Sequence, residues 1–436
     1  MSNDIWEKEL YDVADYALER LKEKGANGAT IEVSSGQMDE LNVDAGRFSL
    51  LRTTFSSRVG LRALSKSRKG VYVTNKIDLE SVGEAVDIAM DAAEFSEPDS
   101  AEVISEGIGE HTFDLAPSDS KPVIIYERMA EFLEQVKQEY SKIKIMQFIV
   151  SHNRFNTLYA NSNGTRVLTK GSQYDVMTDF SAMDGEQTTS FNGMGYVVKE
   201  LDLPILSLPS LRRLLEGSQQ ELNAKPVEGK FTGTLLCTPS SLEYFLGSTL
   251  ANCTSSSALV SGTSPWIDKI DKNVSDSRLN VSYAPLDAGI VNGSRLQDGY
   301  LSYNQDIIKE GKLEAFALNE YAALKTDLPR AGSGENMVVA PGDSSVDELI
   351  SSIDCGILIN RFSGGSMSVS GDFSGIAKNS FLIKNGKISG AVNETMVSGN
   401  ILEMLFKIVG ISKERDCDGI SKIPWIAFDG VVISGK

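Results

Sequence analysis

The chain is predicted to be α+β, with N-terminal α/β-mixed units in which helices pack on a sheet, followed by a β-rich C-terminal domain. Three textures along its 436 residues predict this. Apolar residues recur at the helical period in segments near the N-terminus, and the stretches between them alternate with period two. Beyond residue 230, short apolar runs are separated by Gly, Ser, Asn and Asp.

The first helix is read over residues 5–23, where Ile5, Trp6, Leu10, Val13, Ala14, Ala17, Leu18 and Leu21 share one face. Gly25 follows where a helix end needs a positive φ. Alternation over residues 30–33 and 41–43 indicates strands. Residues 59–64 and 70–73, on either side of a polar stretch, indicate a β-hairpin. Asp78 is suited to cap a second helix that carries Val82, Ala85, Val86, Ala89, Met90 and Ala93 on one side. These elements make a first α/β unit over 1–95.

Residues 96–121 hold Pro98, Gly107, Gly109 and Pro117 among acidic and small polar residues, and their lack of periodicity suggests a linker or long loop. A second α/β unit is expected over 122–225. It comprises a helix near 123–140, strands near 145–151 and 155–160, the hairpin-favouring Asn163-Gly164, and a helix over 208–222. Residues 226–436 form the β-rich domain, with strands such as Gly233-Thr234-Leu235-Leu236-Cys237 and Cys355-Gly356-Ile357-Leu358-Ile359.

A formal charge of -18 argues against a phosphate backbone as partner, because such affinity rests on Lys/Arg neutralisation. The basic cluster Arg62, Lys66, Arg68 and Lys69 is read as a solvated hairpin tip. The first residues carry neither a basic nor an apolar leader region, and no apolar stretch approaches the roughly 20 residues that span a bilayer. Neither a nucleic acid nor a membrane is expected as partner, and the cytoplasm is the expected location. Cys237, Cys253, Cys355 and Cys417 form no C-x-x-C pair, which favours a reducing compartment over disulfides or a zinc ribbon.

The C-terminal third contains Ser370-Gly371-Asp372-Phe373-Ser374-Gly375, then Phe381-Leu382-Ile383-Lys384-Asn385-Gly386-Lys387-Ile388, then Val397-Ser398-Gly399-Asn400-Ile401-Leu402-Glu403-Met404-Leu405. Upstream stand Arg58-Val59-Gly60-Leu61-Arg62 and Gly70-Val71-Tyr72-Val73-Thr74. In this order over most of the chain, these motifs resemble the TldD/PmbA family, and specifically its PmbA (TldE)-like branch. The resemblance implies one of two paralogous subunits of a metallopeptidase that acts on small or unfolded polypeptides held in extended form. The partner would be a TldD-type paralogue in a heterodimer, with a homodimer when the chain is alone.

In the zinc-bearing branch a Leu-Leu dipeptide precedes an H-E-x-x-x-H helix, and a later cysteine completes the site. The corresponding stretch here is Leu235-Leu236-Cys237-Thr238-Pro239-Ser240-Ser241-Leu242. Cys237 and Leu242 then stand at the histidine positions, Thr238 at the glutamate, and Cys417 near the cysteine. A leucine cannot ligate zinc and a threonine cannot serve as a carboxylate base. The resemblance therefore implies no catalytic residue and no zinc in this chain, with zinc only in the partner. A stand-alone homodimeric peptide-binding protein is the alternative, and a cysteine hydrolase pairing Cys237 with His152 ranks last.

Only two histidines occur, which excludes a His-rich metal site. His111, beside Glu110, is read as exposed in the linker, and His152 as a strand-end residue. No G-x-S-x-G elbow is present, and neither Gly332-Ser333-Gly334 nor Gly364-Gly365 extends into a phosphate loop. In Gly371, Asp372, Phe373 and Ser374 the polar side chains are expected to hydrogen-bond their own turn. Shaping of a peptide groove is the functional reading of the same turn.

Overall fold

A computed structural model describes residues 3–332 and 334–436. Helix α1 (Asn3–Glu23) ends before Gly25, whose φ of +91° suits glycine. Helix α2 (Leu79–Phe95) starts at Asp78, whose carboxylate accepts the Ser81 N–H at 2.9 Å. Both helices bury apolar stripes against a sheet made from β1 (Gly28–Asp44), β2 (Arg47–Ser65), β3 (Arg68–Thr74), β4 (Glu110–Asp114), β5 (Ile143–Asn161) and β6 (Arg166–Asp184). The strand order is β3-β2-β1-β5-β6-β4, with Asn192–Val198 also on β6.

The strands are longer than their sequence pattern suggests. Residues 30–33 and 41–43 are the two ends of one 17-residue strand, and 145–151 and 155–160 belong to one 19-residue strand. Their apolar ends serve different cores. Ile31 and Val33 lie under α1 and α2, whereas Leu41 and Val43 join α3 (Pro122–Glu139) and α4 (Leu211–Gln220). The strand centre between those clusters is polar, so period-two apolarity lapses there. α4 begins only after Ser210, which adopts a left-handed φ of 58°, and is thus shorter than the expected 208–222.

Residues 1–95 and 122–225 share this one sheet, because β1 pairs directly with β5 (Leu41 opposite Val150). Part of the expected linker is a strand as well: β4 runs parallel to β6, with His111 opposite Val167. His111 is therefore half-buried in a sheet rather than exposed in a loop, and its Nε2 lies 3.0 Å from the Ile108 carbonyl. The tip of the β2–β3 hairpin is at Lys66 and Ser67, both with positive φ.

In the C-terminal part, the strand Lys230–Cys237 pairs in parallel with Cys355–Ile359 and antiparallel with Lys422–Ser434, at the middle of a 13-stranded sheet. Gly356 permits that pairing, since a Cβ there would stand 2.3 Å from the Thr234 carbonyl oxygen. Helix α5 (Pro239–Thr254) leaves the strand end and drives Leu242, Phe245, Leu246 and Leu250 into the largest core. Among the described residues no helix is long and apolar enough to cross a membrane.

Candidate functional site

The strand-to-helix junction at Cys237–Thr238 is fixed by its own hydrogen bonds. The Thr238 N–H donates to the Ile359 carbonyl at 3.2 Å, its side chain caps α5 by accepting from the Ser241 N–H, and the Ser241 hydroxyl donates to the same carbonyl at 2.7 Å. Cys237 and Leu242 are fully buried in the core beneath. Burial pushes the Cys237 thiol up to about 12, opposed only by its hydrogen bond with Ser241.

Cys417 lies elsewhere. It is partly exposed at the end of the strand Ile408–Cys417, where its thiol donates to the Gly289 carbonyl at 3.2 Å. Lys422 is opposite Cys417, and Ile426, four residues further along the same strand, is opposite Cys237. At about 3.3 Å per residue the two cysteine backbones are about 13 Å apart along that strand, too far for both thiols to reach one zinc at a bond length of about 2.3 Å. Cys237, Thr238, Leu242 and Cys417 do not fit a zinc ion. Among the described residues no three His, Cys, Asp or Glu side chains cluster as a metal-ligand set.

Cys237 and His152 are not brought together either. His152 is in the middle of β5 rather than at its end, 1% exposed. Its ring packs on Tyr174 at 4.7 Å and its Nε2 lies 3.3 Å from the Ser118 hydroxyl. Burial, more than any neighbouring charge, holds this imidazole below its ordinary range.

The segment Gly371–Ser374 is the start of a strand (Asp372–Lys378) rather than a free turn. The Asp372 carboxylate accepts from Ser370 Oγ at 2.8 Å and Asn400 Nδ2 at 3.0 Å, and these bonds hold it below the usual carboxylate range. Gly371 has φ +90°, and Phe373 is buried 5.0 Å from the Phe245 ring. Ser374 is exposed. Gly364 lets this strand approach closely, as its Cβ would fall 2.5 Å from Gly375 Cα. Ser333, between Gly332 and Gly334, is outside the described residues.

The opposite face of α5 makes a concave surface. Glu243, Gly247, Ala251 and Thr254, one helical turn after another, line a groove of about 530 Å³ with Tyr283 and Asn336 on its far side. Glu243 also reaches a smaller cavity of about 180 Å³ beside Asp416 and Asp418. Although Glu243 as a residue is exposed, protein atoms crowd its carboxyl, and this desolvation together with the Asp418 charge raises its pKa. The small residues Gly247 and Ala251 leave room for a chain to lie along the helix. Their spacing of four was the available sequence signal, but neither carries a reactive group.

Residues 230–435 match the family model described as the PmbA/TldA metallopeptidase C-terminal domain, and residues 29–93 match PmbA/TldA metallopeptidase domain 1. The chain belongs to the PmbA/TldD family. A metalloprotease of Methanocaldococcus jannaschii is 22% identical to it, over 91% of this chain and 92% of that protein. The metalloprotease PmbA homolog of Haemophilus influenzae is also 22% identical, over 99% and 97%. Among solved structures, TldE from Thermococcus kodakarensis superposes with a TM-score of 0.82 at 19% identity, covering 97% of this chain and 100% of that one. A proposed modulator of DNA gyrase from Bacteroides thetaiotaomicron reaches 0.86 at 20% identity, covering 98% and 99%. Both solved structures share the α+β fold described above.

Proposed function

We propose that this PmbA/TldD-family chain is a PmbA/TldE-like subunit of a TldD/TldE-type metallopeptidase complex acting on small or unfolded polypeptides. A TldD-type paralogue supplies the zinc and the activated water. This chain supplies part of the surface that holds an extended substrate, and pairs with itself when the paralogue is absent. It works in the cytoplasm, where its four free cysteines stay reduced.

The observation that carries this reading is the chemistry of α5. Its side toward the groove of about 530 Å³ carries Glu243, Gly247, Ala251 and the buried Thr254 rather than imidazoles. Amide hydrolysis at neutral pH needs an activated water, and Glu243, with Asp416 and Asp418 as acidic neighbours and no imidazole or thiolate in either lining, is a poor source of one. Backbone hydrogen bonds to an extended chain, in contrast, need only a trough and unpaired strand or loop groups.

Elemental analysis of the dialysed protein tests the division of labour. We expect no stoichiometric zinc. About one tightly held zinc per chain, lost on Cys237→Ala or Cys417→Ala, would overturn the assignment of these positions.

A further inference from the structure

A cavity of about 710 Å³ lies apart from the α5 groove and its smaller neighbour. Its floor is the sheet face turned away from α1 and α2, as alternation shows: Ile31 and Leu158 point into the helix-covered core, whereas Glu32 and Tyr159 line the cavity. Its roof is the hairpin Leu296–Gln297 with Tyr300–Leu301, together with the helix Glu320–Thr326.

The roof is fixed to the floor. Gly299 in the hairpin turn has φ +84°, and a Cβ there would stand 1.9 Å from Ser105 Oγ and 2.7 Å from the Tyr159 hydroxyl. On the helix, Tyr321 donates to Asp99 at 3.0 Å and Lys325 pairs with the same carboxylate at 2.9 Å. The cavity is thus a built feature between the N-terminal sheet and the C-terminal domain.

Its charges are matched except on the hairpin. Glu102, whose side chain is 7% exposed, is shared by Arg62 at 2.5 Å and by Lys69. Glu32 has Arg58 at 3.0 Å, and Glu320 has Arg330 at 3.8 Å. Arg295 is half-buried in the lining and makes no side-chain hydrogen bond or ion pair among the described residues. A guanidinium removed from part of its water without a partner retains a fork of donors shaped for a planar anion. The nearby acids Glu32, Asp298 and Glu320 disfavour a polyanion such as a nucleotide phosphate, while Phe155, Val71 and Val167 offer an apolar bed.

We propose that this cavity binds a ligand with a single carboxylate and an apolar body, the carboxylate held by Arg295 and the body laid against Phe155 and its neighbours. Two sources share this chemistry, the C-terminal end of a short peptide and a free aryl or alkyl acid. The site goes beyond the subunit function proposed above and requires no partner chain.

Titration calorimetry on the whole chain tests it with three probes: acetyl-Ala-Ala-Phe, its C-terminal amide, and 3-phenylpropionate. A charge-assisted pair of this kind changes affinity by about tenfold or more. The free-acid peptide should therefore bind at least about tenfold more tightly than the amide. Arg295→Gln should bring acid and amide to the same weak affinity, and Arg295→Lys should restore part of the difference. Phenylpropionate binding as tightly as the peptide acid identifies free acids as the source, and much weaker binding identifies peptide ends. Equal affinity of acid and amide for the unaltered chain, no binding of any probe at millimolar concentration, or a preference that survives Arg295→Gln each overturns the proposal. Because Arg295 is half-exposed, its variants retain the fold, which circular dichroism checks. None of these outcomes bears on whether the chain pairs with a zinc-bearing paralogue.

Discussion

Phe245→Ala is the substitution that most directly tests how α5 is anchored. The Phe245 side chain is fully buried, with the rings of Phe373, Phe362 and Tyr244 at 5.0, 5.2 and 5.5 Å. Removing it takes a phenyl group out of the largest core and leaves a cavity walled by three other aromatic rings, which cannot collapse freely. Such truncations cost about 3–5 kcal/mol. With a urea dependence of about 2–3 kcal/mol per molar, the unfolding midpoint should fall by about 1–2.5 M. Tryptophan fluorescence reads this directly, since Trp266 and Trp425 both lie in the C-terminal domain. Tyr244→Ala is the control. That ring stacks on Phe362 but is 38% exposed, so its loss should matter less. A Phe245→Ala loss below about 1 kcal/mol, or a larger loss from Tyr244→Ala, would refute the packing described for this helix.

Two further outcomes follow from burial and charge. Cys237 and Cys253 are buried, with both thiols pushed up to about 12 mainly by desolvation, whereas Cys355 and Cys417 are partly exposed. A thiol-reactive disulfide at neutral pH should label Cys355 and Cys417 quickly and the other two only in denaturant; a third fast thiol in the native protein contradicts this. Glu221 accepts from Asn379 Nδ2 at 3.0 Å, and desolvation raises its carboxyl to about 8 against the opposing Arg361 charge. Its folded pKa exceeds its unfolded one, so the native state holds the proton more tightly and this group's contribution to stability declines as pH rises from about 4.5 toward 8. Glu221→Gln should flatten the stability profile across that interval and be more stable than the unaltered chain at pH 8. An unchanged slope in the variant would refute the assignment.

Local signals in the sequence were legible wherever one residue decides the backbone. Gly25 ends α1 and Asp78 caps α2 as their types require, and the β2–β3 hairpin turns within its polar stretch. Long-range pairing was less legible. The polar centre of β1 separates two apolar ends because different helices cover each, so one strand looks like two, and the joining of β1 to β5 into one sheet leaves no local trace. β4 was missed because its edge position leaves Glu110, Thr112 and Asp114 exposed, without an apolar face to mark it. At the candidate site, Cys237 and Thr238 stand out only through the resemblance of Leu235-Leu236 to the zinc branch's Leu-Leu dipeptide, and the strand end and helix cap they occupy are sealed in the core. The surface that borders a groove is made by Gly247 and Ala251, whose contribution is the absence of bulk.

The most direct measurement is proteolysis by subunits taken separately and together. A disordered test polypeptide is incubated with this chain, with a TldD-type protein that carries H-E-x-x-x-H, and with the mixture, and fragments are followed by mass spectrometry. The account predicts no cleavage by this chain alone and chelator-sensitive cleavage by the mixture, because the groove-lining face of α5 carries one carboxylate, Glu243, and no imidazole or thiolate. Robust cleavage by this chain alone, resistant to chelator and abolished by Cys237→Ala, would contradict it.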